Sequence, residues 1–180
     1  YMSFTLHEPV GVTAHIIPWN FPLVTTARGV APALAAGNTA IVKPATQTPL
    51  TALALADLLA EAGLPAGVYN AVTGRGSTIG DALVGHSGVD HVTFTGSVPT
   101  GINVMKVAAD RVTSVTLELG GKSPVVVLAD ADLDAAVEGT LKAIYLNAGQ
   151  VCSAGSRLVV DRKVHAAMLE RLVQRANQLS

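Results

Sequence analysis

The chain has 180 residues, 49% of them hydrophobic and 14% charged, with a formal net charge of −1. That balance excludes a disordered segment, which needs low hydrophobicity and high charge, and a nucleic-acid binder, which needs a clustered basic surface. No apolar run has the length of a bilayer-spanning helix, and the opening residues lack the layout of a signal peptide.

Short β-rich runs alternate with helical patterns along the chain. Residues 10–17 read as a strand and 21–36 as a helix interrupted by Gly and Pro. Residues 39–43 read as a strand, and 48–62 as a helix stopped by Gly63 and Pro65. A strand over 68–73 leads through a Gly-rich turn to a helix over 77–84. Residues 91–95 form a strand and 99–109 a helix. Strands over 114–119 and 124–128 precede a helix over 133–146, a strand over 157–160 and a final amphipathic helix over 164–179. That last helix stops at Ser180 and needs a surface for its apolar face. With Tyr rather than Met at position 1, this leads us to expect a segment of a longer protein.

Near-continuous apolar runs such as Val125-Val126-Val127-Leu128 suit a sheet covered on both faces. Alternating β and α units imply right-handed crossovers and a parallel sheet, a Rossmann-like α/β fold. Ligands of such sheets sit at the carboxyl ends of the strands. The unusual peptides fall at those ends: 18–22, 43–46, 74–80, 96–101 and 118–122. The clearest boundary is Gly120-Gly121, which predicts one domain over 1–121 and the start of another over 122–180.

Each of these peptides has a plain reading beside a chemical one. Gly96-Ser97-Val98-Pro99-Thr100-Gly101 follows a strand and opens a helix. It is either a structural turn or a cradle whose N–H groups hold phosphate. Lys43 is either a snorkelling surface lysine or, with Thr46 beside it, a ribose or phosphate ligand. Asn20, in Pro18-Trp19-Asn20-Phe21-Pro22, is either a turn residue or an amide donor aimed at an oxyanion. Cys152 is the only cysteine, so it makes no intrachain disulfide. A solitary cysteine is most often a small buried apolar residue. A thiol nucleophile with a carboxylate base, Glu118, 34 positions upstream, is the alternative. The five histidines (His7, His15, His86, His91, His165) show no i,i+4 pair and no Cys/His cluster, so no metal site is expected. One cysteine suits a reducing cytoplasm.

Taken in order, Pro-Trp-Asn-Phe-Pro, Lys-Pro-Ala-Thr, Phe-Thr-Gly-Ser, Leu-Glu-Leu-Gly-Gly-Lys-Ser-Pro and Gly-Gln-Val-Cys resemble the aldehyde dehydrogenase superfamily. The resemblance covers essentially the whole chain, and the Glu118–Cys152 spacing also matches. It implies oxidation of a small-molecule aldehyde to an acid with NAD or NADP, and a homodimer or homotetramer in the full-length protein. Cys152 would be the nucleophile, Glu118 the general base, and Asn20 an oxyanion donor together with the Cys152 N–H. Lys43 would bind the adenosine ribose, and Gly96 and Ser97 would lie under the pyrophosphate. Ile16, Ile17, Pro18, Trp19, Thr46, Gly76, Gly80, Phe94, Thr100, Leu119 and Gly120 would complete the cofactor cleft.

Three further implications concern specificity. Glu118 favours hydrolysis to a free acid, because CoA-acylating relatives typically lack it. Thr46 stands where NAD-preferring members often carry Glu, so NADP is expected to be accepted at least comparably. Arg28 resembles the carboxylate-holding Arg of succinate-semialdehyde dehydrogenases, although its usual second Arg is replaced here by Leu146. That suggests a carboxylated or polar aldehyde, the plainer reading being an ion pair with a carboxylate outside residues 1–180. The family's chain is much longer, so these residues in isolation are expected to be inactive and to expose apolar faces. A CoA-acylating dehydrogenase, a thioester hydrolase with no redox step and a catalytically silent relative are the competing readings.

Overall fold

Alternation of apolar residues with Thr, His and Ser builds the strands of the first of two compact units, Tyr1–Leu119; the second begins at Gly120. The structure is a computed structural model and describes residues Tyr1–Leu179. Five strands, β1 (Val12–Ile16), β2 (Thr39–Lys43), β3 (Tyr69–Ala71), β4 (His91–Gly96) and β5 (Ser114–Leu119), form one sheet in the order β3-β2-β1-β4-β5. Every pairing is parallel. The chain winds outward from β1 to β3, then crosses back to place β4 on the other side of β1. The winding direction reverses between β1 and β4, and such a switch point opens a crevice at the carboxyl ends of the two strands.

Helices supply the crossovers: α1 (Pro22–Ala35), α2 (Leu50–Glu61), α3 (Asp81–Val84) and α4 (Val98–Ala109). Pro22 opens α1, where its missing N–H is no loss. Ser97 caps α4 by accepting the Thr100 N–H. Two cores result. Ala14, Val92, Phe94, Val104 and Ala108 pack one face of the sheet with α3 and α4. Val30, Ala40, Val42, Ala52 and Tyr69 pack the other face with α1 and α2. Gly101 lets α4 approach closely, since a Cβ there would lie 2.6 Å from Leu119 Cδ2.

The second unit is built on a parallel pair, β6 (Pro124–Val127) and β7 (Arg157–Val160), with α5 (Leu133–Tyr145) and α6 (His165–Ala176). Asp132 caps α5 through the Asp134 and Ala135 N–H groups. The last helix packs one row of its apolar residues within this unit: Met168 is fully buried with Val127, Val137 and Leu141, and Leu172 and Ala176 are partly buried beside it, while Leu169 and Val173 stay exposed. Arg171–Asp134 and Arg175–Glu138 pairs, each 2.6 Å, tie α6 to α5 along the rim.

Several boundaries differ from the sequence reading. Strand β1 starts at Val12 rather than residue 10, because Gly11 takes a φ of +118° that extended L-residues avoid. The Gly11 N–H donates to Asn38 Oδ1 and the Val12 N–H to Asp90 Oδ2. The expected helix over 77–84 begins instead as a π turn, Gly76–Gly80, and becomes α-helical only at Asp81. Helix α5 stops at Tyr145 because Leu146 is extended and Asn147 left-handed. The expected division after residue 121 and the observed one after Leu119 differ by two residues. Among the described residues no helix is long and apolar enough to cross a membrane.

Candidate active site

The switch point places the loop from Ile17 to Phe21 at the carboxyl edge of the sheet, between the ends of β2 and β4. Ile17 is buried and anchors the loop by donating its N–H to Lys43 O at 3.0 Å. Pro22 fixes the loop at the start of α1, leaving Trp19 exposed and Asn20 half-buried. The loop is thus held at both ends while its amide-bearing and indole-bearing residues occur at the crevice.

Lys43 ends β2 and is 3% exposed, which is unusual for lysine. Burial lowers its pKa. Its Nζ donates to Pro44 O at 3.0 Å. An ammonium carries three donors, so this one bond leaves capacity for sugar hydroxyls. The snorkelling reading of Lys43 therefore does not describe it. Thr46 donates to Gly74 O at 3.3 Å and ties the β2 loop to the loop after β3. Gly76 and Gly80 bound the π turn that follows. Gly96 is the last residue of β4, and Ser97 and Thr100 share a 2.8 Å hydroxyl contact in the first turn of α4. A buried ammonium, a capped helix N-terminus and small residues along one edge fit a dinucleotide's ribose and phosphates. Ile16, Phe94 and Leu119, expected in the same cleft, pack in or against the α4-side core. Phe94 supports the edge from below, its ring lying where a Cβ on Gly96 would go.

The opposite face of β4 and β5 is polar. Register aligns Thr93 with Thr116 and Thr95 with Glu118, and strand alternation puts His91, Thr93, Thr95, Ser114, Thr116 and Glu118 on one side. This side walls a cavity of about 350 Å³, closed further by His15, Thr25, Arg28 and Gly29. Arg28 Nη2 lies 3.4 Å from Glu118 Oε2, with the two side chains 56% and 49% exposed. Sequence reasoning missed this pair and expected any partner of Arg28 beyond residues 1–180; the carboxylate it meets is the candidate base itself. Sequence reasoning also passed over His15. Its Nε2 meets Thr13 Oγ1 at 2.9 Å, its Nδ1 has no hydrogen-bond partner, and it is 2% exposed. Burial first, and the neighbouring His91 second, push its pKa down to about 4. Burial lowers His91 as well.

Cys152 belongs to the second unit, as does Gly120, its first residue. The thiol is free and the residue is exposed, so it is not the small buried apolar residue that a solitary cysteine most often is. It follows a kink in which Asn147 and Ala148 take φ of 51° and 55°. Left-handed backbone costs an L-residue about 1–2 kcal/mol, and such strain clusters at functional sites. The Gly155 N–H donates to Ala143 O and the Ala154 N–H to Val151 O, pinning the turn around the cysteine. Among the described residues no cluster of His, Cys, Asp or Glu is suited to a metal ion.

A family profile described as the aldehyde dehydrogenase family matches residues 1–180. The chain belongs to that family. This chain is 54% identical over 174 residues to a hydroxyisobutyraldehyde dehydrogenase of Mycolicibacterium austroafricanum, covering 97% of this chain and 34% of that protein. It is 56% identical over 168 residues to a phenylacetaldehyde dehydrogenase of Pseudomonas fluorescens, covering 93% and 34%. The NAD+ complex of a Bacillus cereus aldehyde dehydrogenase matches with a TM-score of 0.94 and 50% identity over 97% of this chain and 36% of that one. An E. coli NADP dependent enzyme matches with a TM-score of 0.93 and 48% identity, over 96% and 36%. The chain therefore spans about a third of the length of these relatives.

Proposed function

We propose that the complete natural polypeptide carrying these residues oxidises an aldehyde to a carboxylic acid with NAD or NADP. Residues 1–121 serve as most of its cofactor-binding domain and 122–180 as the start of its catalytic domain. The observation that carries the reading is the position of Glu118: an ionisable carboxylate at the carboxyl edge of a switch-point sheet, opening on a cavity instead of the core.

The chemistry follows from the residue types. The Cys152 thiolate adds to the aldehyde carbon and gives a tetrahedral thiohemiacetal. The Asn20 amide and the Cys152 N–H stabilise its oxyanion. A bound nicotinamide cofactor would supply the acceptor for the hydride that leaves the thiohemiacetal carbon. Lys43, Ser97 and the edge from Gly76 to Gly80 hold the cofactor. Cys152 is then acylated, and Glu118 activates the water that hydrolyses the thioester.

An aldehyde without a carboxylate is the favoured substrate class. Arg28 already has a carboxylate partner in Glu118, Leu146 stands where a second Arg would complete a clamp, and hydroxyisobutyraldehyde and phenylacetaldehyde, the aldehydes in the names of two relatives, bear no carboxylate. Thr46 places no carboxylate beside Lys43, so NADP is accepted comparably to NAD. A homodimer or homotetramer in the cytoplasm completes the proposal.

The test is turnover of an aldehyde panel with each cofactor, with and without CoA, followed by mass analysis of Cys152. Reduced cofactor and free acid without CoA, with an acyl adduct on Cys152, are expected. Reduced cofactor only when CoA is present would reassign the protein to the acylating branch. A hundredfold preference for NAD would remove the cofactor claim.

A further inference from the structure

We infer that Arg28 is the positioning residue of Glu118, holding its carboxylate by an ion pair in the orientation from which it activates the hydrolytic water. The inference rests on the reading of Glu118 as the base.

The geometry has three parts. Register places Glu118 opposite Thr95, one pair before the end of the β4–β5 ladder, so β5 carries it to the edge of the sheet. Helix α1 then sets the distance to Arg28. Gly29 lies over His15, where a Cβ would come within 2.7 Å of Nδ1, so α1 sits as close to the sheet as a side-chain-free position permits. Arg28, the residue before it, thereby reaches across to β5 and meets Glu118 at 3.4 Å.

The charge around the cavity is the third part. Its titratable lining groups are His15, His91, Arg28 and Glu118. Burial keeps His15 neutral down to about pH 4 and lowers His91. Near neutral pH Arg28 is therefore the cation in the lining, facing a single carboxylate. The 3.4 Å pair sets the direction in which the Glu118 carboxylate faces, and a carboxylate held in one orientation can accept a proton from a water placed against it. In that step the water oxygen bonds to the thioester carbonyl carbon and its proton passes to Glu118. The C–S bond then breaks, its electron pair returns to sulfur as thiolate, and the proton leaves Glu118 for solvent. Arg28 touches none of the reacting atoms.

Rapid-mixing kinetics of the complete polypeptide separate the two halves of the reaction. The burst of reduced cofactor reports hydride transfer, and the steady state reports thioester hydrolysis. Arg28→Met is expected to slow hydrolysis about two- to fivefold, the range of a half-exposed ion pair. The burst rate changes by less than about twofold, because hydride transfer does not use the base. Arg28→Lys restores most of the rate. In a Glu118→Gln background, Arg28→Met adds no further loss. Arg28→Gln repeats the measurement if Arg28→Met lowers the folded fraction. An unchanged rate of hydrolysis in Arg28→Met overturns the inference, as does an effect confined to KM for carboxylated aldehydes. Hydrolysis at the parental rate in Glu118→Gln overturns the base assignment and the inference together; slow hydrolysis there with an unaffected Arg28→Met overturns the inference only.

Discussion

The two faces of the β4–β5 pair share a backbone and little else. Toward α4 they present Val92, Phe94, Val115, Leu117 and Leu119, part of a dry core. Toward the cavity they present His91, Thr93, Thr95, Thr116 and Glu118. One-residue alternation thus separates the work of holding the sheet together from the work of presenting chemistry at its edge. The contrast implies that substitutions on the first face act on stability, and those on the second act on turnover.

Phe94→Ala is the strongest way to test the apolar face. Emptying a buried aromatic site costs about 3–5 kcal/mol, measurable as a lower denaturant midpoint for the complete polypeptide. A loss below about 1 kcal/mol would mean that this face is not core. At the crevice beside it, Asn20→Ala should lower kcat about 10²–10³-fold, as removal of an oxyanion donor does, and leave the denaturant midpoint nearly unmoved. Equal damage to both quantities would make Asn20 a structural turn residue.

His15 connects the faces to pH. The unfolded chain protonates this histidine near its ordinary value, while the buried native residue resists protonation down to about pH 4. As pH falls through the window from about 6.5 to 4, the unfolded state binds more protons and stability decreases. Above that window the contribution is constant. The slope is worth up to about 3 kcal/mol, with His91 acting in the same direction. Denaturant titrations at several pH values should show it, and His15→Asn should flatten it. The smallest effect belongs to the polar surface. Thr116→Val, which removes a 3.3 Å contact between the Thr116 hydroxyl and His91 Nε2, should change stability by less than about 0.5 kcal/mol. A larger loss would show that the polar face also holds the sheet.

Much of the fold was legible in the sequence for reasons that can be named. Strands β2, β5 and β7 have the expected limits, because β-branched residues in alternation or in short apolar runs between turn residues leave little choice of register. Other limits were not legible. The start of β1 depends on Asp90, which reaches Val12 from a distant loop. The π turn at Gly76–Gly80 has no periodicity to read. The end of α5 is set by left-handed backbone at Asn147 and Ala148, residues with no strict need for it.

The candidate site divides in the same way. Cys152, Glu118, Asn20 and Lys43 were marked out by residue type and spacing, and the resemblance of the motifs to the aldehyde dehydrogenase superfamily implied their roles. Residue types and local periods are properties of the chain itself, so the chemistry available was determined there. The partner of Glu118, the neutrality of His15 and the burial of Lys43 were decided only by tertiary structure. Each depends on which strands lie side by side, how near α1 approaches and how much water is excluded. Those quantities arise from contacts between residues far apart in sequence, and no local pattern records them.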